Sequence, residues 1–176
     1  MVSNLSKTLI HTALLCEAQP IIQYLKLLKN KDVPNMYENE THILMVSGIG
    51  KTATLKALTP IFNNYPVKKA INIGIAGCKD NTLAIGTLCC TTHALNNIVF
   101  TTLSTHESAI DNNEALTTVL VDMEAQYFFD VCKSFVPHEN IYCLKVVSDY
   151  LSTTIPTKEF VSGLIQKNMA LIKEIV

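Results

Sequence analysis

The sequence predicts an α/β domain of three layers, with a central mixed, largely parallel sheet flanked by helices, and three observations carry that prediction. Apolar runs suited to buried strands alternate with longer stretches of helical period. Two of those runs lead into glycine-containing segments, Ser47-Gly48-Ile49-Gly50 and Gly74-Ile75-Ala76-Gly77. The length of 176 residues, 48% of them hydrophobic, suits one compact domain over residues 1–176 and leaves no room for two ordinary ones.

In chain order, residues 8–15 read as a buried strand and 17–28 as a helix. Ile21, Ile22, Leu25 and Leu28 share one face of that helix, and Pro20 falls in its first turn, where proline is tolerated. Residues 42–46 make a second strand, followed by the first glycine turn and a helix from about 51 to 62. Residues 67–75 form a third strand, and 86–94 with 98–103 a pair of strands rich in Thr and Val. Residues 117–121 are short and extended, 123–134 helical, 141–147 a strand and 157–175 an amphipathic helix.

Charged residues make up 16% of the chain, against about 25% in ordinary soluble domains. So little charge covers a monomer poorly, which points to a homo-oligomer, a dimer being favoured, although a sheet buried on both faces also raises the apolar fraction. Net charge is −1, and lysines concentrate only at Lys26, Lys29 and Lys31. That excludes a nucleic-acid footprint. The fourteen basic side chains are all lysine; arginine, the usual bidentate clamp for phosphate, is missing.

The six cysteines form no C-x-x-C pair and no zinc-like cadence with the five histidines. They read as reduced core residues, and neither metal nor cofactor is expected. Residues 81–106 carry no Asp, Glu, Lys or Arg, but Thr, Asn, His and Gly recur too densely for lipid. The N-terminal apolar run is interrupted by His11 and lacks a small-residue cleavage site, so the expected location is cytoplasmic, away from membranes.

In parallel sheets functional groups gather beyond the carboxyl ends of the strands. Three carboxylates fall there: Glu17, Glu124 and Asp149. Each also has a purely structural reading. Glu17 could open a helix, Asp122 and Glu124 could cap one, and Ser148-Asp149 could end a strand in a turn. Capping explains Asp122 well and Glu124 less well, because Tyr127, Phe128 and Val131 continue into a helix that should be largely buried. Gly48-Ile49-Gly50-Lys51-Thr52 is no phosphate-cradling loop, since Met45 occupies the place of its first glycine. It reads as a tight strand-to-helix turn. Gly74 to Gly77 is either a structural turn or a close approach of backbone to a small ligand.

These residues resemble the methylthioadenosine/S-adenosylhomocysteine nucleosidases, within the nucleoside phosphorylase and nucleosidase superfamily. Leu14-Leu15-Cys16-Glu17-Ala18 is similar to the end of that family's first strand, and Ser47-Gly48-Ile49-Gly50-Lys51 to its glycine turn. Residues 70–77 and Ile85-Gly86-Thr87-Leu88 resemble its next strand and hairpin. Val121-Asp122-Met123-Glu124-Ala125 resembles the ribose-binding segment, and Lys145-Val146-Val147-Ser148-Asp149 the catalytic Ser-Asp.

The resemblance implies cleavage of a purine-type N-glycosidic bond through a ribosyl cation. Asp149 would protonate the leaving base with Ser148 orienting it, and Glu17 would deprotonate the attacking water. Glu124 would hold the ribose hydroxyls, Met123 would lie against the sugar and Ile49 beside the 5′ substituent. Ile75, Ala76 and Gly77 would form the floor under base and ribose, with Lys145 also in contact with substrate. The chemistry asks one carboxyl to hold a proton near neutral pH while another, Glu17, stays ionised beside water.

Departures from the family bear on substrate. Ile75 stands where the nucleosidases have serine, Lys145 where they have arginine, and residues 104–116 replace a longer segment that supplies an aromatic side chain and part of a subunit contact. The base pocket is therefore open, rebuilt, or completed by a neighbouring copy. Gly74-Ile75-Ala76-Gly77 is closer to the futalosine hydrolases, which generally have Asn where this chain has Asp149. The absence of arginine and the position of Glu17 favour hydrolysis. A phosphate-dependent phosphorylase is the alternative, and a catalytically silent nucleoside-binding protein the third reading.

Overall fold

The computed structural model describes residues 6–112 and 114–176. The N-terminal reading above thus falls partly outside the described residues, as does position 113 of the short 104–116 segment.

Strand β1 (Lys7–Thr12) runs into helix α1 (Leu15–Leu25). Two short strands follow, β2 (Leu28–Lys29) and β3 (Met36–Glu38), then β4 (His42–Val46) and helix α2 (Lys51–Asn64). The longest strand is β5 (Val67–Cys78), after which come β6 (Leu88–Cys90), β7 (Val99–Phe100), β8 (Leu103–Thr105) and β9 (Leu120–Asp122). Helix α3 (Ala125–Cys132), a 3-10 turn at His138–Asn140, β10 (Ile141–Asp149) and helix α4 (Lys158–Ile172) follow.

The sheet order is β2-β3-β4-β1-β5-β10-β6-β7, with β9 added beside β5 and β8 beside β9. Its centre, β4-β1-β5-β10, is parallel. Those strands read as continuous apolar runs because both faces are covered. Ile10, Leu44, Ile71 and Ile73 face a core shared with Ala18 and Ile21 of α1 and Leu164, Ile165 and Ile172 of α4. Their neighbours Leu9, Ile43, Met45 and Ala70 face the opposite core, with Leu58 and Ile61 of α2 and Phe128 and Cys132 of α3. The alternation of side chains along each strand thus makes three layers. All six cysteines are buried and unpaired.

Several boundaries differ from those the sequence predicts. Helix α1 opens at Leu15 rather than residue 17, because the Glu17 carboxylate reaches back to the Ala13 and Leu14 N–H groups and fixes the turn upstream. Pro20 is therefore the sixth helical residue and not part of the first turn. The helix stops at Leu25 because Lys26 turns left-handed at φ 53°, which frees Leu28 for an edge strand. Gly74 to Gly77 is no turn: β5 continues through it to Cys78, held by β10 and β9. The Thr- and Val-rich stretch forms only β6 and β7, paired parallel and not as a hairpin, while Leu103 moves to β8. Helix α3 starts at Ala125, leaving Met123 and Glu124 at its entrance.

The outcome for function is positional. The carboxyl ends of β1, β5 and β10 lie side by side, and β9 pairs antiparallel with the last residues of β5, Gly77 opposite Val121. Among the described residues, no helix is long and apolar enough to cross a membrane.

Candidate active site

At those strand ends lies a cavity of about 660 Å³. Glu17, Glu124, Ser148 and Asp149 all line it, as do Met123, Ile49, Ile75, Ala76 and Gly77. Nine of the ten residues singled out from the sequence thus share one hollow; the tenth, Lys145, does not line it.

Glu17 belongs to the first turn of α1, and its position follows from three backbone donors. Its Oε2 accepts from the N–H of Ala13 at 3.1 Å and of Leu14 at 2.8 Å, and its Oε1 from the N–H of Ile75 at 3.0 Å. The carboxylate therefore ties β1 to β5. Glycine at position 74 is what admits it, since a Cβ there would lie 2.8 Å from Glu17 Oε1 and 3.5 Å from Lys145 Nζ. Burial pushes the Glu17 carboxyl upward in pKa, against the opposing pull of Lys145 and the three N–H donors. Glu17 is buried among these donors and still lines the cavity.

Lys145 sits behind the wall as a buried cation. Its Nζ lies 2.7 Å from Asp122 Oδ2, with 2% and 1% of the two side chains exposed. Burial opposes its charge, but Asp122, Cys143 and Glu124 together raise its pKa above the ordinary lysine value. The expected substrate contact is replaced by a supporting one: the ammonium is spent on Asp122 and neutralises the carboxylates around it. Asp122 does cap α3, accepting the Ala125 N–H at 2.8 Å, and also accepts from the Thr105 hydroxyl at 2.6 Å. Burial pushes its pKa up, yet Lys145 and these donors outweigh it and hold Asp122 below the usual carboxylate range.

Glu124 has no such dedicated cation. Its Oε1 accepts from the Gly50 N–H at 2.9 Å, and that donor is available because Gly48 and Gly50 adopt φ of 91° and 87°, which side-chain-bearing residues avoid. Burial pushes Glu124 from 4.5 up to about 7, opposed by Lys145 and the Gly50 N–H and reinforced by Asp122 and Glu17.

Asp149, also lining the cavity, ends β10. Its Oδ2 accepts from the Ser148 hydroxyl at 2.6 Å and its Oδ1 from the Ser152 N–H at 2.8 Å. The Ser148 hydroxyl also lies 3.1 Å from the Ala76 carbonyl. One hydroxyl proton can serve either partner. When Asp149 is ionised, Ser148 donates to it; when Asp149 is protonated, its O–H can donate to Ser148 while Ser148 donates to Ala76.

Sequence reasoning tied the 104–116 segment to the base pocket but missed residues 152–157 of the outer wall. Residues 108–110 and 152–157 line the far side, with Lys158 and Val161 of α4. Their loops carry no periodicity from which burial or contact could be read.

No protein-family model matches this chain, and no curated protein matches it by sequence. Solved structures do. The 5′-methylthioadenosine/S-adenosylhomocysteine nucleosidase of Campylobacter jejuni superposes with a TM-score of 0.78 at 18% identity, covering 97% of this chain and 98% of that one. A futalosine hydrolase mutant of Helicobacter pylori gives 0.80 at 15%, over 97% and 98%. A nucleosidase variant from Chlamydia trachomatis gives 0.74 at 20%, over 98% and 100%. This chain therefore has the three-layer α/β fold of the methylthioadenosine/S-adenosylhomocysteine nucleosidases and of futalosine hydrolase.

Proposed function

We propose that this protein hydrolyses the N-glycosidic bond of a purine-type nucleoside, a 5′-modified adenosine or a futalosine-like compound. One observation carries the reading: Glu17, Glu124 and Asp149, more than 100 residues apart at their extremes, line one cavity of nucleoside size. The names of the solved structures sharing the fold support it.

In this reading Asp149 delivers a proton to the departing base, and Ser148 keeps the carboxyl aimed in both of its protonation states. The Glu124 carboxylate accepts hydrogen bonds from the ribose hydroxyls. Glu17 Oε2 is saturated by two N–H donors, while Oε1 accepts only one and keeps a lone pair for the attacking water. The buried carboxylates around the sugar favour the positive charge that develops as the bond to the base breaks. Ile49, 55% exposed, and Leu15 offer an apolar shoulder to a 5′ substituent.

Water is the better acceptor than phosphate for an electrostatic reason. With Asp122 already paired to the buried Lys145, the wall leaves the carboxyls of Glu17, Glu124 and Asp149 against one lysine, Lys158. An incoming dianion would be repelled. A second copy of the chain completing the open outer wall, as a homodimer in the cytoplasm, belongs to the same proposal.

The test is a panel of methylthioadenosine, S-adenosylhomocysteine, adenosine, inosine, uridine and futalosine, each with and without phosphate, followed for free base. Release from at least one purine-type member without phosphate is expected. Strict dependence on phosphate would make the protein a phosphorylase. Binding without release under either condition would leave a nucleoside-binding protein.

A further inference from the structure

His11 is a fully buried histidine that the proposed chemistry does not use. It lies in β1 between β4, which leads into Ser47, and β5, which carries Asn72, and its ring stacks on Phe128 at 5.4 Å between centroids. Its Nδ1 is 2.8 Å from Asn72 Nδ2 and its Nε2 is 2.8 Å from the Ser47 hydroxyl. Burial pushes its pKa down to about 3, helped by Lys145 and opposed by Asp122, so the ring is neutral.

A neutral ring has one N–H, and the neighbours determine where it is. The Asn72 amide N–H donates to Nδ1, while its oxygen accepts from the Cys143 thiol at 3.6 Å. Nε2 therefore carries the proton and donates to Ser47. The Ser47 hydroxyl in turn donates to the Gly48 carbonyl at 2.7 Å. The result is a one-way chain of donors from the sheet core into the glycine turn, with every buried side-chain polar atom among the described residues partnered.

We propose that His11 is a positioning residue for the active site: through Ser47 it fixes the turn at residues 47–50, and so the Gly50 N–H that holds Glu124. Backbone bonds from Ser47 to Thr12 and from Gly48 to Ala13 anchor the start of that turn. The side-chain chain adds a restraint at Gly48, and the Gly50 carbonyl is held from the other side by the N–H and hydroxyl of Thr54. Only the kinetic readout of this inference rests on the nucleosidase reading.

The groups that set the Glu124 titration are Lys145 on β10, Asp122 on β9, Glu17 on α1 and the Gly50 N–H before α2. Loosening the turn withdraws that last, ionisation-favouring donor and moves the Glu124 titration upward. The experiment is a carbon-13 NMR titration of Glu-labelled protein, in wild type, His11→Leu, Ser47→Ala and His11→Gln, alongside kcat/KM against pH. In His11→Leu and Ser47→Ala the Glu124 midpoint should rise, and kcat/KM should fall roughly tenfold, as expected for one lost hydrogen bond to a charged group. His11→Gln places an N–H near the position of Nε2 and should recover much of both. Ser47 is only half-buried, so Ser47→Ala decides the matter if His11→Leu does not fold. An unmoved Glu124 titration in folded Ser47→Ala overturns the proposal. If wild type releases no base, the nucleosidase reading fails while the NMR titration still judges His11.

Discussion

The inner wall of the cavity is made of side chains at strand ends and helix starts, whereas the outer wall is made of loop. Glu17, Asp122 and Glu124 are buried, tied to backbone donors and surround the buried ammonium of Lys145. On the other side residues 152–155 are all exposed, and Ile155 is 90% exposed. The half that would hold the sugar is fixed before any ligand arrives, and such preorganisation is what electrostatic catalysis requires. The half that would read the rest of the substrate is exposed loop, rich in Ser and Thr. In the proposed reading, chemistry thus falls on the buried half and specificity on the exposed one.

Substitutions in the inner wall should accordingly cost far more than those in the outer. The largest effect is expected for Lys145→Met, which strands Asp122, Glu17 and Glu124 without their shared cation. Breaking such a buried pair costs about 3–5 kcal/mol, visible as a large drop in urea midpoint. A variant unfolding like wild type would mean the inner wall is not held by charge.

Glu124→Gln should act in the opposite direction. A carboxyl whose pKa rises from 4.5 to about 7 on folding binds protons more tightly in the native state, so stability falls as pH climbs through that interval. Removing the charge should leave stability near wild type at pH 4 and raise it by about 3 kcal/mol at pH 8. Base release should drop at the same time. No stabilisation at pH 8 would contradict the strained, buried carboxylate described here.

Gly74→Ala places a methyl against Glu17 Oε1. Overpacking of this kind costs about 1–3 kcal/mol, and displacing Glu17 should reduce turnover more than substrate binding. Equal loss of both would make Glu17 a substrate contact. At the small end, Ile155→Ala in the outer wall should change stability by less than about 0.5 kcal/mol while altering KM between nucleosides with different 5′ groups. A uniform KM across such substrates would remove that loop from recognition.

The same division explains what the sequence disclosed. The parallel centre was legible because residues on both faces of β1, β4, β5 and β10 are apolar, and the three acids were legible because each follows such a run. Lys145 was placed against substrate only through its resemblance to the nucleosidases' arginine, and the antiparallel addition of β9 is what brings Asp122 to it. His11 read as a mere interruption, since its partners Ser47 and Asn72 lie 36 and 61 residues away. The strands β2, β3, β7 and β8 are two or three residues long, too short to show a period.

The central claim is that the inner wall performs acid-assisted cleavage of a nucleoside. Asp149→Asn keeps one acceptor, the amide oxygen facing the Ser152 N–H, while its NH2 donates to the Ser148 hydroxyl as that turns to the Ala76 carbonyl, and the transferable proton is gone. Single-turnover release of free base from the preferred nucleoside, without phosphate, should fall by about 10²–10⁴-fold in this variant with binding and melting temperature unchanged. Turnover close to wild type in folded Asp149→Asn would contradict the account.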